Sequence, residues 1–120
     1  MAYIFLCHPT CTTCQKAREW LAQHKISYEE RDIRADNPKA QELADWLERS
    51  GLPIHRFFNT SGQRYRELGL TAKLPDMTPE EQIALLATDG MLVRRPILVA
   101  GSLVLVGFRE KEWEEVLGKT

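Results

Sequence analysis

Three cysteines fall within the first 14 residues, at Cys7, Cys11 and Cys14. A structural disulfide framework would spread even numbers of cysteines along a chain, so this clustering points to chemistry. Cys11-Thr12-Thr13-Cys14 is a C-x-x-C pair that opens a helical pattern. A sulfur there meets the positive end of the helix macrodipole, where backbone N–H groups favour the thiolate. Cys14 lies one turn further on, close enough to close a disulfide. The leading reading is therefore a redox pair, Cys11 and Cys14.

Two metal readings compete. An iron–sulfur site would need three thiolates on one loop wrapped around a cluster, whereas Cys7 abuts a strand and Cys14 already sits in a helix. A zinc site built from Cys7, His8, Cys11 and Cys14 has no second ligand pair downstream. Neither is the expectation, and no metal is assigned. Cys7 alone ends a buried strand without a spacing partner of its own. It reads as a small packed thiol.

A second element of interest is Arg94-Arg95-Pro96, immediately before an apolar run. Proline is allowed at the entrance to a strand because it need not donate to the ladder. Arginine beside it offers planar donors suited to an oxyanion or a thiolate. Two solvated surface charges would give the same pattern.

The elements that must position these residues follow from periodicity. Ala2 to Leu6 is a short apolar strand. Ala17, Trp20, Leu21 and His24 recur at helical spacing from Thr12, with Gln15, Lys16, Arg18 and Glu19 on the polar side. Ile26 to Ile33 reads as a second strand, completing a βαβ opening. Asn37-Pro38 is expected to cap and start a helix whose buried stripe is Ala40, Leu43, Ala44 and Leu47, stopped by Gly51 and Pro53. A short helix follows Thr60 or Ser61 and ends at Gly69. Thr78-Pro79-Glu80-Glu81 is a capping box for the next, with Ile83, Leu86 and Ala87 inward. Ile97–Ala100 and Leu103–Val106 flank Gly101-Ser102 as a hairpin. A last helix carries Trp113, Val116 and Leu117. The order is βαβ, a helical block, then ββα.

Whole-chain properties narrow the function classes. At 120 residues, one domain spanning 1–120 is expected, with a helical insertion at about 37–90. The formal net charge of −1 gives no electrostatic reason for a nucleic-acid or anionic-membrane partner. No run of apolar residues is long enough to span a bilayer, so a soluble, cytoplasmic chain is expected.

Two segments together carry a resemblance. His8-Pro9-Thr10-Cys11-Thr12-Thr13-Cys14-Gln15-Lys16-Ala17 and Arg95-Pro96-Ile97-Leu98-Val99 resemble the arsenate reductase (ArsC)/Spx family. Tyr65-Arg66-Glu67-Leu68-Gly69-Leu70 looks like its mid-domain helix end. The resemblance implies an α/β, thioredoxin-like fold, a mixed four-stranded sheet with a helical insertion, and a cis bond at Pro96. It implies that Cys11 is the nucleophile and that Arg95 binds the oxyanion beside Pro96. The arsenate branch uses two further arginines. Alignment puts Asn59 in the place of the first and Gly107 in the place of the second. Cys7 stands where that branch has a histidine, and the branch lacks a cysteine at Cys14. These departures bring the chain nearer the C-x-x-C, Spx-like members.

The function that follows is a thiol-dependent reductase acting on a small oxyanion or a disulfide through Cys11 and Cys14. It would need no bound cofactor. Its reductant would be an external thiol such as glutathione, glutaredoxin or thioredoxin. The alternative is a redox-sensing regulator of the Spx type, which binds RNA polymerase rather than nucleic acid directly.

Overall fold

The computed structural model describes residues 3–118, so the Ala2 end of the first expected strand lies outside them. Strand β1 (Ile4–Cys7) leads through a tight loop into helix α1 (Thr12–Gln23), and strand β2 (Glu29–Asp32) returns parallel to β1. The polypeptide then passes through α2 (Ala40–Ser50), α3 (Gln63–Glu67), α4 (Leu70–Lys73) and α5 (Pro79–Leu86), with short 3-10 turns between them. Strand β3 (Ile97–Ala100) runs antiparallel to β1 on the side away from β2. It turns at Gly101-Ser102, with Gly101 at φ 55°, into β4 (Leu103–Val106). Helix α6 (Glu110–Leu117) ends the described fold. The sheet order is β2-β1-β3-β4. This βαβ–ββα arrangement is the thioredoxin-like class expected.

Residues up to Asp32 and from Arg95 onward make one compact unit, and Ile33–Arg94 make a second. In the first, the register puts Phe5 opposite Leu98 and Leu98 opposite Leu105 on one sheet face. These side chains pack with Cys7, Cys14, Ala17, Trp20 and Leu21, and with Trp113 and Leu117 of α6. Trp113 is the largest fully buried side chain. Its ring meets Trp20 edge-on at 5.7 Å and Phe108 at 4.9 Å. Its indole N–H donates to the Gly107 carbonyl at 3.2 Å, so the one polar atom of the ring is satisfied within the core.

In the second unit, α2 packs on α5. Thr78 and Glu81 form the reciprocal capping box, with bonds of 2.9 and 3.1 Å. A short antiparallel pairing of Phe57–Asn59 with Leu92–Arg94 ties the middle of the unit to its C-terminal end. Gly90 lies hard against the chain here, since a Cβ would sit 1.7 Å from the Ile33 carbonyl oxygen. Among the described residues, no helix is long and apolar enough to cross a membrane.

Several elements differ from the sequence expectation for local reasons. The second strand begins at Glu29, not Ile26. Lys25 adopts φ 55°, its N–H donates to Ala22 O, and the Ile26 N–H donates to Leu21 O. That is a Schellman end to α1, which consumes residues 24–26 before the strand can start. Helix α2 starts at Ala40, not at Asn37-Pro38, because the Asn37 amide is occupied 50 residues away, donating to Ala87 O at 2.7 Å. The N-terminus is held instead by Lys39 N–H donating to the Glu42 carboxylate. Its buried residues are Leu43 and Trp46, while Ala40 and Ala44 are exposed. A bulky aromatic took the face assigned to two small residues. In α5 only Leu86 is fully buried, with Ile83 and Ala87 half-buried. In α6, Val116 is exposed where burial was expected. His24 is exposed too, stacked on Trp20 at 3.8 Å.

Because Trp113 joins both helices to the sheet, Trp113→Ala is expected to destabilise the protein by about 3–5 kcal/mol. Urea unfolding followed by circular dichroism measures it. A loss under about 1 kcal/mol would mean that the cavity is refilled and that Trp113 is not the anchor.

Candidate active site

The site grows from the C-terminal end of β1. Cys7 is the last residue of that strand, and Asp32 is its partner on β2. Leu6 pairs with Ile97, and Ile97 with Val106, so Arg95-Pro96 and Gly107 lie just beyond the same sheet end. Here the Gly107 N–H donates to Pro96 O at 2.8 Å, and the Arg95–Pro96 bond is cis as the resemblance implied. The topology therefore brings the cysteine loop and the Arg-Pro element to one edge.

Cys11 is the N-cap residue of α1, with extended backbone (φ −74°, ψ 128°), and its side chain makes no capping hydrogen bond. It is half-buried, whereas Cys7 and Cys14 are fully buried, and all three thiols are reduced. The loop before it is tied down by His8. The His8 carbonyl accepts from Cys11 N–H at 3.3 Å. The ring Nδ1 accepts from Thr10 N–H at 3.1 Å, with the Thr10 hydroxyl 3.0 Å away. An acceptor Nδ1 places the proton of the neutral ring on Nε2. The His8 N–H donates to Cys14 Sγ at 3.3 Å.

The three sulfurs form a chain with Cys14 in the middle. Cys14 interacts with the side chains of both Cys7 and Cys11, and each draws it toward the thiolate. Arg18, one further turn along α1, reaches Cys7: its Nη2 donates to Cys7 Sγ at 2.8 Å and to His8 O at 3.4 Å. The guanidinium is held in place by Glu30 of β2, which accepts from Nε at 2.9 Å and from Nη2 at 3.2 Å. A fork-to-fork pair of this kind fixes orientation as well as charge.

These contacts divide one negative charge unequally. Donation from the Cys7 thiol brings Cys14 down from 9.0 to about 6, helped by the His8 N–H and by Cys11 and Arg18, against the penalty of burial. Donating that proton, and burial, push Cys7 upward, against the pull of Arg18. Arg18 also holds the Glu30 carboxyl below the usual range. Within the pair, Cys14 is favoured as a thiolate and Cys7 as a thiol, with the Arg18 cation fixed beside them.

Cys11, Cys14, Arg95 and Pro96 belong to this unit, at the sheet end just described. Asn59 lies in the 33–94 unit, where its N–H donates to Leu92 O and its side chain packs on Gly62. Sequence reasoning missed Cys7, Arg18 and Glu30 as members of the site. A signal existed: Cys11, Cys14 and Arg18 stand at i, i+3 and i+7, one face of a helix. Among the described residues, no group of three or more His, Cys, Asp or Glu side chains could hold a metal ion.

The ArsC family model matches residues 6–116. The chain belongs to the ArsC family. A crystal structure from Bacteroides fragilis, described as ArsC family related, is 55% identical; it covers 97% of this chain and 98% of its own, with a TM-score of 0.93. A possible arsenate reductase from Streptococcus mutans UA159 is 40% identical over 93% of this chain and 97% of its own, with a TM-score of 0.85. Among curated relatives, the uncharacterized protein YusI of Bacillus subtilis is 46% identical, over 96% of this chain and 98% of its own. The regulatory protein MgsR of the same organism is 32% identical, over 90% and 84%.

The proton-sharing arrangement has a testable consequence. In reduced Cys11→Ser protein, thiolate ultraviolet absorbance should rise with a midpoint near pH 6, and the Cys11→Ser, Cys14→Ser double variant should lose that step. Cys14 titrates lower in the fold than in the unfolded chain. Its stabilising contribution is therefore lost as pH falls from 9.0 through about 6. Denaturant unfolding against Cys14→Ser across that window reads the difference. A first thiolate appearing only near 9.0 would remove the assignment.

Proposed function

We propose that this ArsC-family protein is a thiol–disulfide oxidoreductase in which Cys11 is the nucleophile and Cys14 resolves the adduct. The observation that carries the reading is Cys11 at the N-cap of α1, half-buried, with Cys14 buried one turn inside the same helix. The Cys11 thiolate attacks a disulfide sulfur and expels the other sulfur as a thiolate, or attacks the central atom of an oxyanion and displaces one oxygen, which leaves as water after protonation; either way a covalent adduct forms. The Cys14 thiolate then attacks Cys11 Sγ. The reduced substrate leaves with the electron pair of the broken bond, and the Cys11–Cys14 disulfide remains. An external thiol of the glutathione, glutaredoxin or thioredoxin class takes the site back to the dithiol. Arg95, at the sheet end beside Pro96, would hold an anionic substrate.

Disulfides are the better substrates in this reading. Arsenate is a dianion near neutral pH, and a thiolate approaching it needs fixed cations on the oxygens. By the resemblance, Asn59 and Gly107 replace two of the three arginines of the arsenate branch. Each missing charge-assisted contact costs about 1.5–3 kcal/mol, or roughly ten- to hundredfold in rate.

A second reading is a redox-sensing regulator that binds RNA polymerase, using the same disulfide as its switch. The 32% identity to the regulatory protein MgsR favours it. Capture of the polymerase α subunit by the oxidised or the reduced chain tests that reading directly.

The decisive assay compares turnover of a glutathione mixed disulfide with turnover of arsenate, each with glutathione, glutaredoxin and thioredoxin as donors. Measurable disulfide exchange, little arsenate reduction, and loss of both in Cys11→Ser are expected. Arg95→Ala should depress any arsenate turnover about tenfold or more while leaving exchange on a neutral disulfide within a few-fold. Robust arsenate reduction with little disulfide exchange would overturn the ranking of substrates.

A further inference from the structure

Cys7 is not used by the chemistry above, yet its surroundings are built with care. It is fully buried in the same core cluster as Cys14, and touched at 2.8 Å by a guanidinium that also donates to Glu30 and to the His8 carbonyl. A packing thiol needs none of this. Arg18 is half-buried, with its guanidinium carbon 6.0 Å from the Phe5 ring centroid, so bringing a cation here costs hydration.

We propose that Cys7 is a third redox cysteine, which accepts Cys14 from the Cys11–Cys14 disulfide and moves the bond inward, with Arg18 as its positioning residue. This rests on the reading of Cys11 and Cys14 given above and extends it by one step. The Cys7 thiolate attacks Cys14 Sγ. The Cys14–Cys11 bond breaks as the Cys7–Cys14 bond forms, and Cys11 leaves as a thiolate. One disulfide and one thiol equivalent are present before and after, so the exchange needs no oxidant or reductant. The proton that Cys7 gives up balances the one that Cys11 can take.

The geometry makes the step conditional. In the reduced state Cys14, as the favoured thiolate, holds Cys7 toward the thiol. Once Cys14 is joined to Cys11, that negative neighbour no longer exists. What remains on Cys7 is burial and the Glu30 carboxylate, which oppose a thiolate, and the Arg18 donor at 2.8 Å, which favours one. Oxidation of the outer pair therefore arms the inner thiol. Cys14 is the natural hinge, since it packs in one core cluster with Cys7 and interacts with Cys11 as well. The product would carry its oxidation between two fully buried residues and return the half-buried nucleophile to the reduced state. Reduction by bulky thiols would then require passage back through Cys11.

The test is a time course. Fully reduced protein is mixed with one equivalent of oxidised glutathione, quenched with acid, alkylated, and mapped by mass spectrometry. The Cys11–Cys14 peptide pair should appear first and give way to Cys7–Cys14, as Cys11 regains reactivity toward alkylation. Arg18→Gln should slow the second phase about tenfold and the first by clearly less, since Arg18 is the smallest of the influences on Cys14, and Arg18→Lys should restore part of the second phase. Cys7→Ala should stop at Cys11–Cys14 and keep measurable turnover of the mixed disulfide, at a reduced rate because Cys14 loses the neighbour that favours its thiolate. That variant separates the two ideas: exchange by Cys7→Ala upholds the Cys11/Cys14 chemistry whatever Cys7 does. Failure of Cys7→Ala to form Cys11–Cys14, although folded by circular dichroism, would sink that chemistry and the relay with it. Wild-type protein that ends as Cys11–Cys14, with Cys7 alkylated at every time point, would overturn the relay alone. A second phase unchanged in Arg18→Gln would remove Arg18 from it.

Discussion

The organising interaction of this protein is the ion pair between Arg18 and Glu30, because it fixes a cation against sulfur at the end of a strand. A surface ion pair of this kind contributes little stability by itself. Its importance is directional. Glu30 occupies two donors of the guanidinium and turns Nη2 toward Cys7 and the His8 carbonyl. The parallel pairing of β1 with β2 is what allows this, since it sets Glu30 beside Phe5 and Asp32 beside Cys7. Remove the β2 edge and α1 would still present Arg18, but without a fixed heading.

Around that cation, the fold divides labour among the three sulfurs through burial. Cys11 stands at the mouth, where the chain enters the helix. Cys14 points back into the core, and Cys7 closes the strand beneath it. A helix start facing a strand end gives a compact way to stack thiols of different accessibility. Thiol chemistry depends on access as much as on ionisation. The same sheet end also carries Pro96 and Gly107, joined by a 2.8 Å hydrogen bond, so the mouth is bordered by rigid backbone.

Much of this was legible in the residues, and the exceptions have physical causes. The βαβ and ββα halves, the C-x-x-C at the helix start, the Thr78 capping box and the Gly101-Ser102 turn follow from local chemistry, and the structure reproduces them. What escaped was every feature set by a distant partner. Asn37 looks like a helix cap until Ala87, far along the chain, claims its amide. Trp46 shows that a stripe of small residues loses to an aromatic that buries more area. Cys7 looks inert in sequence because its partners, Arg18 and Glu30, lie 11 and 23 positions away and meet it only through strand pairing and helix docking. Periodicity placed Arg18 on a solvent-facing side, yet that face lies directly over the sulfur.

Gly107 carries a constraint on what this sheet end can hold. Its φ is 78°, its N–H is committed to Pro96 and its carbonyl to the Trp113 indole. By the resemblance, an arginine stands near this place in the arsenate branch. An L-residue forced into that left-handed backbone costs about 1–2 kcal/mol before its charge does anything useful. An arginine placed at position 107 meets that strain first, in a turn already tied to the core through Trp113. The turn therefore acts as a filter on side chains, one that admits glycine freely and a cation only with a rebuilt backbone.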